Sequence, residues 1–160
     1  LRIAPDMTGF ECLKDSLSVA TLSVILVDSN IWRQTGNPGG DPTVQQWLSD
    51  NDANLALSAV VLGEMHFGMK LMPEGKRRTD IAHWLEQLSR SFEGSIVSFD
   101  QDCAVAFGEL AAHEKRAGRN PSTIDLQIAA QAITHRMSIA TRNVKDFAHS
   151  GVTLINPWEA

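Results

Sequence analysis

The sequence predicts one α/β domain built on a mainly parallel sheet of five strands. Three observations lead there. Short aliphatic runs of strand length recur along the chain. Segments with apolar residues at helical spacing separate them. No internal repeat, low-complexity tract or long linker divides the chain. At 160 residues and 17.5 kDa, the chain is long enough to hold a core without disulfide or metal staples.

The first strand is Val24-Ile25-Leu26-Val27. It is aliphatic throughout, as a strand covered on both faces is, and it stops at Asp28. Asn30 is placed to cap a short helical turn. Asn37-Pro38-Gly39-Gly40 reads as a loop. Asp41 and Pro42 then stand as N-cap and first residue of a helix carrying Val44, Trp47 and Leu48. Leu55-Ala56-Leu57 is the second strand. Ser58 caps a helix running to about Leu71, with Val61, Leu62, Met65 and Met69 at helical spacing, and Pro73 breaks it. Residues 74–91 predict a long amphipathic helix with Ile81, Leu85 and Leu88 on one side. Ile96-Val97-Ser98-Phe99 is the third strand, and Asp102 to Ala117 a helix closed by Gly118. Ser122-Thr123-Ile124-Asp125 has the form of a capping box, with Asp in place of the longer Glu. It opens a helix carrying Ile128, Ala132 and Ile133. Ser138 to Thr141 is the fourth strand and Val152 to Ile155 the fifth, followed by Asn156-Pro157-Trp158. Residues 1–22 show no clear period and are read as an N-terminal extension of unassigned role, which leaves 23–160 as the domain.

Apolar residues make up 43% and charged residues 21% of the chain, which excludes disordered and collagen-like classes. The net charge of −5 argues against general attraction to nucleic acid or anionic membrane, so a polyanionic substrate would need local basic groups or bound cations. Cys12 and Cys103 lie far apart in no CxxC pattern, which argues against a disulfide scaffold or zinc knuckle and fits a reducing cytoplasm. No apolar run reaches the roughly 18 residues that span a bilayer. Leu17 to Val27 faintly resembles a signal-peptide core, but acids sit among the preceding residues and no small-residue cleavage site follows.

Ligands of such sheets bind beyond the carboxyl ends of the strands, and acids are found there. Asp28 directly follows four aliphatic residues; by position alone it is equally a capping Asp. Glu64 lies two turns into its helix beside Val60, Val61 and Gly68, bordering the apolar stripe, where an ionised group needs compensation unless its head reaches water. Asp125 sits in the first turn of its helix, where the dipole favours its anion whether it serves as a cap or as a metal ligand. Asn143 and Asp146 follow the fourth strand, among residues that also favour turns. Carboxylates without neighbouring Cys or paired His suit a hard cation such as Mg²⁺ or Mn²⁺. Such a cation can acidify water and neutralise the charge that builds during phosphodiester cleavage.

Four stretches together resemble a known family. They are Ile25-Leu26-Val27-Asp28-Ser29-Asn30, Ser58-Ala59-Val60-Val61-Leu62-Gly63-Glu64, Asp125 through Ala132, and Ala140-Thr141-Arg142-Asn143-Val144-Lys145-Asp146-Phe147 with the closing Asn156-Pro157-Trp158. In this order and spacing they resemble PIN-domain ribonucleases of the VapC or FitB type, toxins of bacterial toxin–antitoxin pairs, across about residues 24–159. The resemblance implies a three-layer α/β/α sandwich and a Mg²⁺- or Mn²⁺-dependent endoribonuclease. It also implies a homodimer and a cognate antitoxin that binds DNA. Carried onto this chain, it makes Asp28, Glu64 and Asp125 the metal-binding acidic triad and puts Asn143 at a fourth, often acidic, catalytic position. Ser29, Asn30, Thr141 and Asp146 would support them. Arg142, Arg116 and Arg119 are the expected RNA contacts, with Lys70, Lys76, Arg77, Arg78 and Lys115 as further basic candidates. The four tryptophans suit core or dimer packing better than base stacking. Transfer, ribosomal and messenger RNA and DNA all fit this reading as substrates.

Rival enzymes fare worse. A receiver domain wants a pair of acids after its first strand, and a haloacid-dehalogenase-like phosphatase wants Asp-x-Asp; Asp28-Ser29-Asn30 supplies neither, and no GKS or GKT phosphate loop is present. The rival of a different class is a binding module that works within a DNA-binding, autoregulatory antitoxin complex and has little nuclease activity of its own.

Overall fold

A computed structural model describes residues 23–160; the extension at 1–22, including Cys12, lies outside the described residues. Four short strands form one parallel sheet: β1 (Ile25–Val27), β2 (Leu55–Leu57), β3 (Ser138–Ala140) and β4 (Leu154–Ile155), in the order β2-β1-β3-β4. Among the described residues seven α-helices connect or follow them: α1 (Ser29–Trp32), α2 (Pro42–Asn51), α3 (Ala59–Lys70), α4 (Lys76–Ser91), α5 (Gln101–Arg116), α6 (Thr123–His135) and α7 (Val144–Phe147). Every residue of β1 and β3 is buried, so helices cover both faces and the architecture is the expected α/β/α sandwich.

The sheet differs from expectation at the third strand read from the sequence. Residues 96–99 make only a single parallel bridge, Val97 to Ser58, through Val97 N–H to Leu57 O and Ala59 N–H to Val97 O, each at 2.9 Å. The physical reason is that its partner runs out. Ser58 is already the N-cap of α3, accepting from Val60 N and Val61 N, and residues 92–95 on the other side are occupied by a turn closed by Ser95 N–H to Phe92 O.

Register places the site. Val27 stands level with Leu57 on one side and Ala140 on the other. The next residues along, Asp28, Ser58 and Thr141, therefore emerge side by side at the carboxyl edge, and all three are buried polar groups. Asp28, rather than the expected Asn30, caps α1: it is the single residue between the end of the strand and the start of the helix. Asp100 caps α5, which begins at Gln101, one residue before the start expected at about Asp102. Asp41 and Ser122 cap α2 and α6 as their patterns predict. The core gathers around Leu26, Val27, Ile31, Leu57, Val61, Leu85, Ile128 and Ile139, all fully buried.

Candidate active site

Asp28 is 5% exposed and its carboxylate is held by three donors. Oδ1 accepts from Ser29 N at 2.6 Å; Oδ2 accepts from Asn30 Nδ2 and from Thr141 Oγ1, each at 2.7 Å. Thr141 is fully buried, and its hydroxyl in turn accepts from Asn143 N at 3.0 Å and Asn30 Nδ2 at 3.3 Å. The Asn30 side chain closes the group by accepting from Arg142 N at 3.2 Å. A carboxylate oxygen has about two lone-pair sites. Oδ2 is fully occupied, whereas Oδ1 keeps one free.

Glu64 approaches from α3. Its side chain is 27% exposed, and its Oε1 lies 3.6 Å from Arg33 Nη2. Burial raises its pKa above the ordinary carboxylate value. The Ser29 side chain, by hydrogen bonding, and the Arg33 charge oppose that rise, while the negative charges of Asp28 and Asp125 add to it. Asp125 comes from the first turn of α6. Ser122 Oγ donates to its Oδ2 at 2.6 Å while accepting from its N–H at 3.1 Å. Burial raises this carboxyl too; Ser122 opposes the rise, and Asp146 and Asp28 reinforce it. The acids from β1, α3, α6 and α7 thus lie close enough to feel one another's charge. The triad is nevertheless open. Among the described residues, the trio of Asp, Glu, His or Cys ligand atoms that all fall within 4.8 Å is a different one, Asp100, Cys103 and His135.

The remaining expected residues are placed as follows. Asn143 is exposed at the start of α7, where its side chain makes no cap hydrogen bond. Asp146 is exposed in the first turn of α7. The Arg142 guanidinium lies over the Trp158 ring, 5.1 Å from its centroid. Arg116 is exposed near the end of α5. Arg119, also an expected RNA contact, is part-buried and paired: Nε and Nη2 each donate to buried Glu114 at 2.7 Å, which neutralises a carboxylate that burial would otherwise penalise. Arg33 is the residue that sequence reasoning missed. Nothing in linear spacing ties it to Glu64; the contact exists because α1 ends beside α3. Gln131 was also unforeseen. Fully buried on α6, it accepts from Ser58 Oγ at 2.5 Å and donates to Val97 O at 2.9 Å, fixing the β2 edge.

A cleft of about 870 Å³ lies outside the acids. It opens beside Arg33, between the loop after α1 and helices α3 and α4, with Met65, Met69, Ile81 and Trp84 on its walls. No helix among the described residues is long and apolar enough to cross a membrane.

Comparison with known proteins bears on this geometry. The PIN domain family matches residues 25–151. The chain is similar to the VapC ribonuclease Y4jK of Sinorhizobium fredii, with 33% identity over 85% of this chain and 99% of that one. It is also similar to toxin FitB of Neisseria gonorrhoeae, with 30% identity over 84% and 99%. The solved structure of FitAB bound to an IR36 DNA fragment superposes with a TM-score of 0.77 at 31% identity, covering 84% of this chain and 95% of that one.

Proposed function

The chain belongs to the PIN-domain family, and from that premise we propose that it is a metal-dependent endoribonuclease, the toxin of a toxin–antitoxin pair. The observation that carries the proposal is the convergence of Asp28, Glu64 and Asp125 at the carboxyl edge of the sheet, where the charge of Asp28 bears on both of the other carboxyls and that of Asp125 on Glu64. Burial and the neighbouring negative charges raise the proton affinity of Glu64 and Asp125, and among the described residues the cation paired with this group is Arg33, on Glu64. An all-oxygen donor set of this kind fits Mg²⁺ or Mn²⁺.

Asp28 through Oδ1, with Glu64 and Asp125, would hold the ion. When bound, the ion supplies Lewis acidity toward the scissile phosphate and its attacking water. The chain's own residues do the rest. Thr141 and Asn30 fix the Asp28 carboxylate in one orientation, and Ser29 and Arg33 do the same for Glu64. A carboxylate of the triad orients the attacking water and takes its proton. Water adds at phosphorus, the bond from phosphorus to the leaving ribose oxygen breaks, and that oxygen ends protonated. Arg142, poised on Trp158, and Arg116 supply phosphate contacts at the rim. Asn143 and Asp146 flank the site without a necessary part in ion binding.

The protein pairs with a cognate antitoxin. The related FitAB structure is bound to DNA, and with a net charge of −5 this chain leaves DNA contact to its partner. We place it in the cytoplasm as a homodimer. The direct test is cleavage of total cellular RNA with and without Mg²⁺, comparing the natural chain with Asp28→Asn. Metal-dependent fragments from the natural chain alone are expected; equal cleavage by a folded Asp28→Asn protein would end the assignment. In the second reading the chain is chiefly a module sequestered in the DNA-bound complex. Growth arrest on expression that vanishes with Asp125→Ala separates the two in favour of the enzyme.

A further inference from the structure

Asp100, Cys103 and His135 place a carboxylate oxygen, a sulfur and a ring nitrogen all within 4.8 Å of one another. Asp100 is the N-cap of α5, Cys103 lies in the first turn of that helix, and His135 is the last residue of α6, which packs along it. Asp125, in the first turn of α6, stands at its opposite end, roughly 15 Å away along the axis. This cluster is therefore distinct from the acidic edge.

The spacing within it is that of ligands on one ion. Cys103 Sγ lies 3.7 Å from His135 Nε2. Sulfur and nitrogen bound to one tetrahedral zinc, at about 2.3 and 2.0–2.1 Å, stand about 3.6 Å apart. A weak S–H···N hydrogen bond accounts for that pair alone, but not for a carboxylate converging on the same point. Asp100 is aimed there by its cap bond, Oδ1 accepting from Cys103 N at 2.9 Å. Burial divides the roles: Cys103 has no exposed surface, whereas Asp100 and His135 are exposed. The sulfur would anchor an ion from inside, and the outward side stays open to a water as fourth ligand. One sulfur, one nitrogen and one oxygen form a borderline-soft donor set that selects zinc-class ions over Mg²⁺.

We propose that Asp100, Cys103 and His135 form a site for Zn²⁺ or a similar transition-metal ion, one that ties the start of α5 to the end of α6. On binding, the thiol proton is released to solvent and the thiolate ligates the ion.

Titration with Co²⁺, a spectroscopic stand-in for Zn²⁺, tests this on the full chain. The natural protein should develop a thiolate-to-cobalt charge-transfer band and visible bands of tetrahedral intensity, saturating at one ion per chain and abolished by added Zn²⁺. Cys12→Ser and Asp28→Asn should keep these bands; Cys103→Ser should lose them. Should Cys103→Ser fail to fold, as judged by circular dichroism, the surface variant His135→Gln gives the same reading. Absence of the band in the natural protein, its persistence in folded Cys103→Ser or His135→Gln, or its loss in Cys12→Ser would overturn the proposal. RNA cleavage is not a readout here, so the result is independent of the nuclease assignment.

Discussion

Thr141 donates its hydroxyl to Asp28 Oδ2 at 2.7 Å across neighbouring strands, although 113 residues separate the two in sequence. That bond fixes the carboxylate at the head of β1. It exists because Val27 and Ala140 are in register.

Replacing Thr141 by Val keeps the shape but removes the hydroxyl. Asp28 loses a donor, and Asn143 N and Asn30 Nδ2 lose an acceptor. The expected cost is about 1–3 kcal/mol of stability in urea unfolding, together with a fall in kcat larger than any change in KM. Thr141→Ser should restore most of both.

Asp28→Asn, Glu64→Gln and Asp125→Asn should each lower metal-dependent RNA cleavage by at least about a hundredfold, the scale of losing one group that acts on the reacting atoms. Gel analysis of RNA fragments, with circular dichroism to verify folding, checks this. Wild-type rates in any folded variant would remove that residue from the site.

The pH response follows from the raised carboxyls. Glu64 and Asp125 have folded pKa values above their ordinary ones. Burial of both carboxyls, reinforced by the negative charges around them, therefore subtracts stability above the folded pKa, and the penalty is relieved as pH falls through it. A divalent ion competes with those protons. The rise in Tm caused by Mg²⁺ should accordingly be larger at about pH 7.5 than at about pH 5. Glu64→Gln should leave metal-free stability equal or higher while shrinking the Mg²⁺ shift. A Mg²⁺ shift that grows on acidification would contradict this.

Arg119 and Glu114 act on stability in the opposite sense. The Arg119 guanidinium beside Glu114 holds that carboxyl below its ordinary value. Its contribution is present above the unfolded pKa and lost as pH falls through the folded one. Arg119→Ala should lower the unfolding midpoint at neutral pH and flatten the loss of stability on acidification, with a smaller effect on RNA affinity than Arg142→Ala.

β1 was legible in the sequence because full burial leaves an unbroken aliphatic run, and the other three strands as short apolar stretches between helical patterns. Residues 96–99 have the same composition as a strand, yet pairing is decided by the neighbour, and Ser58 has already turned into α3. The cap of α1 fell to Asp28 rather than Asn30 for a similar reason: both types cap helices, and only the backbone shows which residue ends the strand. Asp28, Glu64 and Asp125 each stood out as an acid beside apolar positions, but their convergence depends on sheet register and helix packing, which no local spacing encodes. Arg33, meeting Glu64 from another helix, left no trace in the linear pattern. Arg119 looked like any rim cation until the buried Glu114 beside it became visible.

The sheet order carries a consequence for synthesis. β1, made first, sits between β2 and β3, and β3 arrives only after all of α6 has been made. A nascent chain extended to His135 already contains all three acids but lacks the neighbour that pins the first of them.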